Sequence, residues 1–142
     1  MTAVNGIYSL SVYTPEEDTL DYKNTMDFEG SKDKNGFNGQ LATEHEGRTI
    51  QITIEMIIID GKSIEIETFD TQTKVNILFN LEDKTGKYSN TDIETDKVLL
   101  STSFSLLSYE YNNTHFMLQY TGLSEKAIFP RYELEVTFNA TN

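Results

Sequence analysis

Polar and apolar side chains alternate along this chain with a period of two, and the alternation recurs from one end to the other. Between Leu20 and Glu29 the even positions hold Leu20, Tyr22, Asn24, Met26 and Phe28, and the odd ones hold Asp21, Lys23, Thr25, Asp27 and Glu29. Near the other end Tyr132, Leu134, Val136 and Phe138 alternate with Arg131, Glu133, Glu135 and Thr137. A helix would spread these side chains around its whole circumference, whereas a strand sorts them onto one buried and one wet face. The strand pattern continues through Gly6 to Thr14, Gly36 to Glu44, Arg48 to Ile59, Lys62 to Phe69, Thr73 to Glu82, Lys97 to Glu110 and His115 to Thr121.

Turn chemistry separates these segments. Asp60-Gly61, flanked by Ile59 and by the alternating Ile64 and Ile66, offers the two positive-φ residues that a type I′ hairpin requires. Asn112-Asn113 is expected to do the same, since asparagine tolerates the left-handed region. Glu46-Gly47, Asp70-Thr71-Gln72 and Lys34-Asn35-Gly36 mark looser turns. Short links between antiparallel neighbours make a meander, and about eight to ten strands in a meander curl into a closed barrel or stack as a sandwich. A sandwich needs longer crossovers. Only Asp83 to Asp96, with a short strand expected near Tyr88 to Ile93, and Gly122 to Pro130 are long enough. The expected fold is therefore all-β, a single antiparallel barrel over residues 1–142, with a β-sandwich as the alternative. No fixed-period repeat, low-complexity tract or proline- and glycine-rich linker divides the chain.

Composition narrows the functional classes. The chain has 142 residues, 11 basic against 23 acidic side chains, a formal charge of −12, and no cysteine or tryptophan. Without cysteine, disulfides and thiolate metal sites are excluded. The acidic field repels phosphate backbones and anionic lipid, so neither nucleic acid nor a membrane is an expected partner. Met1-Thr2-Ala3-Val4-Asn5-Gly6 shows neither a basic start nor an apolar stretch of the secretory kind. The longest apolar run, Met56-Ile57-Ile58-Ile59, falls far short of the ~20 residues of a membrane helix. A soluble cytoplasmic protein is expected. Asn112-Asn113-Thr114 and Asn139-Ala140-Thr141 match the glycosylation triplet, and are taken as chance matches in polar turns.

Asn5-Gly6-Ile7-Tyr8 on the first strand, the meander that follows, and Pro130-Arg131-Tyr132 near its end resemble the lipocalin-like or calycin group of small barrels. That group carries Gly-x-Trp on the first strand and a late arginine packed over the tryptophan. The resemblance implies Tyr8 in the tryptophan's place, Arg131 as the late arginine, and a barrel interior that binds a small ligand. This chain departs from the pattern in having no tryptophan.

Catalytic and metal chemistry find little support. His45 lies in the turn Glu44-His45-Glu46-Gly47, and His115 alternates with Phe116, Leu118 and Tyr120, which places it in water with no converging ligands. Glu65 with Glu67 and Glu133 with Glu135 share strand faces at a spacing that suits paired carboxylates, yet the opposite face is the apolar one, so both pairs face solvent. Asp33 and Glu44 have the end-point spacing of a calcium loop, but Asn38 stands where that loop needs glycine. Ser101, Ser103 and Ser105 lie on one strand face beside Leu99 and Leu107, without a nucleophile elbow. No enzyme, metal or cofactor is expected.

The inward face itself remains. It comprises Tyr8, Leu10, Val12, Tyr22, Met26, Phe28, Ile52, Ile54, Ile64, Ile66, Val75, Ile77, Phe79, Phe104, Phe116, Leu118, Tyr120, Tyr132, Leu134, Val136 and Phe138. A small barrel either fills with such side chains or holds one small ligand, in a cavity of roughly 300 Å³ or more. Asn24 and the hydroxyls of Tyr22, Tyr120 and Tyr132 are the polar groups expected to orient an apolar or aromatic guest. The alternative is a structural or assembly protein whose strands pair with copies of itself. Met56 and Ile58 looking inward leave Ile57 and Ile59 outside, where a homodimer contact is expected to cover them.

Overall fold

A computed structural model describes residues 1–123 and 129–140, without the side chain of Ala140. Ten antiparallel strands follow one another: β1 (Thr2–Tyr13), β2 (Leu20–Asp33), β3 (Gly36–His45), β4 (Arg48–Ile59), β5 (Ser63–Phe69), β6 (Thr73–Asn80), β7 (Thr85–Asp92), β8 (Lys97–Tyr111), β9 (His115–Gly122) and β10 (Arg131–Ala140). Each pairs with its sequence neighbours, and β1 pairs with β10 to close the barrel, so the sandwich alternative does not hold. The stretch expected to be a long link with a short strand is instead the full strand β7 between tight turns.

Sidedness follows the period-two pattern. Tyr8 faces Met26 across β1–β2 and Val136 across β1–β10, and all three are buried. Asp27 and Glu29, between the buried Met26 and Phe28, are exposed. Three bulges break the pattern. Between Val12 and Tyr13 the register of β1 on β2 shifts, so that Leu20 pairs with Tyr13 and Tyr22 with Val12, leaving Asp21 as the extra residue. One inserted residue reverses the faces beyond it, so Leu20 joins the outer set, contrary to expectation, and is 49% exposed. On β8, Leu99 and Leu107 are themselves the residues skipped by the pairing, and both are exposed, as are Ser101 and Ser103 between them. Beyond the second skip the inward positions change from Phe104 and Leu106 to Tyr109 and Tyr111.

The turns are held by two devices. Asp60-Gly61 takes φ 52° and 67°, and Lys62 N–H donates to the Ile59 carbonyl at 2.9 Å, the expected I′ geometry. Glu46-Gly47 has the same signature, φ 52° and 78° between the paired His45 and Arg48, and is tighter than expected. Asn112-Asn113 does not: neither residue has positive φ, and the Asn112 Oδ1 instead accepts the Thr114 N–H at 3.0 Å. Asp70, Asn80 and Asp92 use the same side-chain-to-backbone bond. At Asp70 the Thr73 and Gln72 N–H groups hold the carboxyl below its usual range.

The two ends of the barrel differ. At the end carrying the β2–β3, β4–β5, β6–β7 and β8–β9 turns, Phe28, Phe37, Phe116 and Phe138 interlock edge to face, with ring centroids 5.3 to 5.8 Å apart. The Tyr111 hydroxyl ties this plug to the β2–β3 turn through the Asp33 and Gly36 carbonyl oxygens, at 2.5 and 2.9 Å. This is the sealed end. At the opposite, exposed end, Tyr22, Ile50, Ile93, Val98, Leu100 and Phe129 are 37 to 55% exposed. Residues 124–128, within the Gly122 to Pro130 link, lie outside the described residues.

Candidate functional site

The site builds from the inward positions nearest the exposed end. Val12 and Leu10 on β1 pair with Tyr22 and Asn24 on β2, and Tyr132 on β10 pairs with both Val12 and Tyr120 on β9. Across the barrel Tyr88 and Asn90 on β7 pair with Ile77 and Val75 on β6. Leu10, Val12, Ile52, Val75, Phe104 and Tyr132 are only half-buried here, although their partners one step deeper are fully buried.

The aromatic rings are in contact. Tyr120 and Tyr132 stack at 5.3 Å with an 18° tilt between planes, and Phe104 meets Tyr120 edge-on at 5.0 Å and Tyr132 at 5.8 Å. Tyr88 lies edge-on to Phe104 at 5.8 Å. Burial, with Tyr22 nearby, pushes the Tyr8 phenol up to about 12. Burial, with Tyr8, Tyr132 and Tyr88 around it, raises the Tyr120 phenol as well. Burial also raises that of Tyr88, and a hydrogen bond donated by the Asn90 side-chain amide offsets part of the shift. The phenols are therefore neutral hydroxyls at physiological pH, able to donate and to accept.

Of the four residues expected to orient a guest, Tyr120 and Tyr132 are brought together and Tyr22 lies beside Tyr8 at the rim, 54% exposed, where a buried position was expected. Tyr22 keeps its inward parity but sits one pair from the Val12/Tyr13 bulge, too near the strand start to have a wall on every side. Asn24 is half-buried opposite Leu10. Sequence reasoning missed Asn90. Its Oδ1 is buried and makes no hydrogen bond, alone in this among the described residues. The signal was present: Asn90 follows Tyr88 at strand spacing, within a segment too polar to stand out as a full strand.

Among the described residues the middle of the barrel is filled by side chains. Phe79, Ile54, Ile64, Phe116, Leu118 and Val136 are fully buried and fill the middle, with the Phe79 ring lying where a Cβ on Gly86 would sit. Recesses of about 370 and 420 Å³ lie on the wall, around Glu55 and Ile57 and around Asp27 and Gln40. A guest at the exposed end would therefore lie at the mouth, against the tyrosine layer.

Other candidates fall apart spatially. Asp33 ends β2 opposite Gly36, and Glu44 lies eight residues along β3 from Gly36, roughly 25 to 30 Å of strand away, and Asp33 Oδ1 accepts the Asn35 N–H at 2.8 Å as an ordinary turn contact. His115 is on the outer face as expected, but half-buried, with Nε2 3.2 Å from Glu135. Glu133 contacts Gln119 at 3.0 Å and Arg131 at 3.2 Å. Glu67 accepts from Asn76 at 3.3 Å. Among the described residues no three histidine or acidic side chains converge as metal ligands. Arg131 does not pack over Tyr8, as the lipocalin-like pattern implied. Tyr8 faces inward, whereas Arg131 lies outside over Tyr13, 4.0 Å from its ring centre, and binds Asp18 at 3.0 Å. Odd and even positions of β1 and β10 point to opposite faces, so Arg131 and Tyr8 cannot meet.

Comparison with known proteins agrees with the architecture. The ywiB protein from Bacillus subtilis has a similar structure, with a TM-score of 0.53 and 8% sequence identity over 99% of this chain and 93% of that one. At that identity the likeness shows the fold alone. No protein-family model and no curated protein matches this chain.

Proposed function

We propose that this barrel is a non-enzymatic binding module for a small aromatic or otherwise apolar molecule, held at the exposed end by the tyrosine layer. The observation that carries the reading is the buried, unpaired Oδ1 of Asn90. An unsatisfied buried acceptor costs about 1 to 3 kcal/mol, and a guest bearing an O–H or N–H group that displaces the side chains covering the Oδ1 would remove that cost. Half-buried Leu10, Val12, Val75 and Phe104 supply apolar contact, and the Tyr120–Tyr132 pair supplies a flat aromatic surface. The charge of −12 favours neutral over anionic guests.

Naphthol and methoxynaphthalene test this directly, since both are flat and fluorescent but only naphthol can donate a hydrogen bond. Naphthol is expected to bind about tenfold more tightly, and Asn90→Leu to abolish the difference. Equal affinities in the parent protein would remove Asn90 from the site. Binding of neither would end the proposal.

A second reading rests on the outer face, where Ile57, Ile59 and Leu78 are 51, 42 and 39% exposed and Glu65 stands in register between Ile57 and Leu78. A second copy of the chain would cover this face through side chains, since the closed sheet offers no free strand edge for pairing. A strictly monomeric species in sedimentation at high concentration would dispose of the homodimer.

A further inference from the structure

Lys32 is the one charged residue among the buried set of described residues, at 8% exposure, and it lies at the sealed end, far from the tyrosine mouth. The period-two pattern puts it there: Met26, Phe28, Gly30 and Lys32 occupy successive inward positions of β2, and Lys32 pairs with the buried Phe37. Its ammonium stands 4.8 Å from the Tyr111 ring centre and 5.2 Å from that of Phe138. Ring faces attract a cation but accept none of its three N–H bonds in the way an oxygen does. Among the described residues no carboxylate lies within 4.0 Å of it, although the chain carries 23 acidic side chains. The stem is buried but the Nζ itself is not enclosed, which leaves its charge open to an anion from solvent.

The ammonium adjoins a recess of about 400 Å³ lined by Thr2, Lys34, Asn113 and Thr114, with Val4 and Phe138 as its apolar floor. Asp33 stands at the same recess, and its Oδ1 is engaged by the Asn35 N–H. The Thr114 hydroxyl is turned to Asn112, which leaves Lys32, Lys34, the Asn113 amide and the Thr2 hydroxyl as donors. Donors from three separate segments surround the opening, and the deepest of them carries a fixed positive charge.

We propose that this recess binds a small oxyanion, a phosphate or a carboxylate group, with Lys32 as its anchor and Lys34 as a rim contact. The site is independent of the tyrosine mouth. A single oxyanion supplies the acceptors that the protein does not offer the ammonium, and the Tyr111 and Phe138 rings flank the ammonium at the recess.

The test is a titration of the full chain, labelled at the lysine side chains, with inorganic phosphate and separately with acetate, at an ionic strength held constant with chloride. The Lys32 resonance should move saturably, and thermal stability should rise with phosphate beyond the chloride control. Lys32→Met, which keeps the buried stem, should abolish the saturable response. Lys34→Ala should weaken it about three- to tenfold. If the Met variant does not fold, the parent resonances and the Lys34→Ala series still decide the matter. Uniform small shifts of all lysines, or a Lys32 signal indifferent to both anions, would overturn the proposal. Response to acetate alone or to phosphate alone identifies which oxyanion the recess accepts, and each supports it.

Discussion

The sealed and exposed ends of this barrel are built from the same strands with the same alternation, yet one packs to completion and the other does not. Phe37, on an inward position of β3, is 1% exposed, while Tyr22, on an inward position of β2, is 54% exposed. The difference is closure. At the sealed end the β2–β3 turn lies across the opening, tied by Tyr111 to Asp33 and Gly36 and by the Ile58 N–H to the Asn35 carbonyl at 2.8 Å. At the other end bulges at Val12/Tyr13 and Asn90/Thr91 interrupt the register, and polar Asn24 and Asn90 stand where the sealed end has phenylalanines. An inward position is thus a direction, and burial depends on what stands across from it.

The largest effect expected of this contrast is on stability. Phe37→Ala should cost about 3 to 5 kcal/mol in urea unfolding, because four aromatic rings close around the space it would vacate. Phe104→Ala at the exposed end should cost less than half as much, since its half-buried site opens to water. Equal costs would mean that the two ends are packed alike.

Next comes alkaline pH. Burial raises the Tyr8 phenol from 10.0 to about 12 in the folded chain, so the neutral form is the one the fold favours. That contribution is whole below pH 10 and is lost as the pH rises through about 12, amounting to roughly 2 to 3 kcal/mol. Tyr111 at the sealed end is also pushed up to about 12, by burial with Asp33 adding to it. Denaturant midpoints measured across this range should fall steeply for the parent protein and less steeply for Tyr8→Phe. An unchanged slope in Tyr8→Phe would show that its hydroxyl already meets water.

The smallest effect is the most informative about function. With no guest present, Asn90→Leu should leave stability within about 1 kcal/mol of the parent, because removing the unpaired Oδ1 is offset by losing the amide's hydrogen bond to the Tyr88 phenol. A loss well beyond about 1 kcal/mol would show that the Oδ1 already has a partner in solution.

Strand existence and sidedness were legible nearly throughout, because each inward residue announces itself by parity: Met26, Phe28, Ile64, Ile66, Leu134, Val136 and Phe138 are all buried as the alternation predicts. The candidate site was legible in part. Tyr120 and Tyr132 followed from parity, while Asn90 and Lys32 did not, since a polar residue at an inward position looks locally like a polar residue in a loop. Leu20 was misplaced for a different reason: a bulge is a pairing event between two strands, and one strand's pattern contains no trace of it.

Local sequence therefore determined the strands, most of their faces, and the I′ turn at Asp60-Gly61, since steric preference and side-chain polarity act over a few residues. Tertiary structure alone decided that β1 pairs with β10, that the register slips at three places, and that one end is plugged by phenylalanines. It also decided that, among the described residues, the enclosed Oδ1 of half-buried Asn90 has no hydrogen-bond partner and buried Lys32 has no counter-charge. These outcomes depend on which distant residues come to lie opposite one another, and only closure of the sheet settles that.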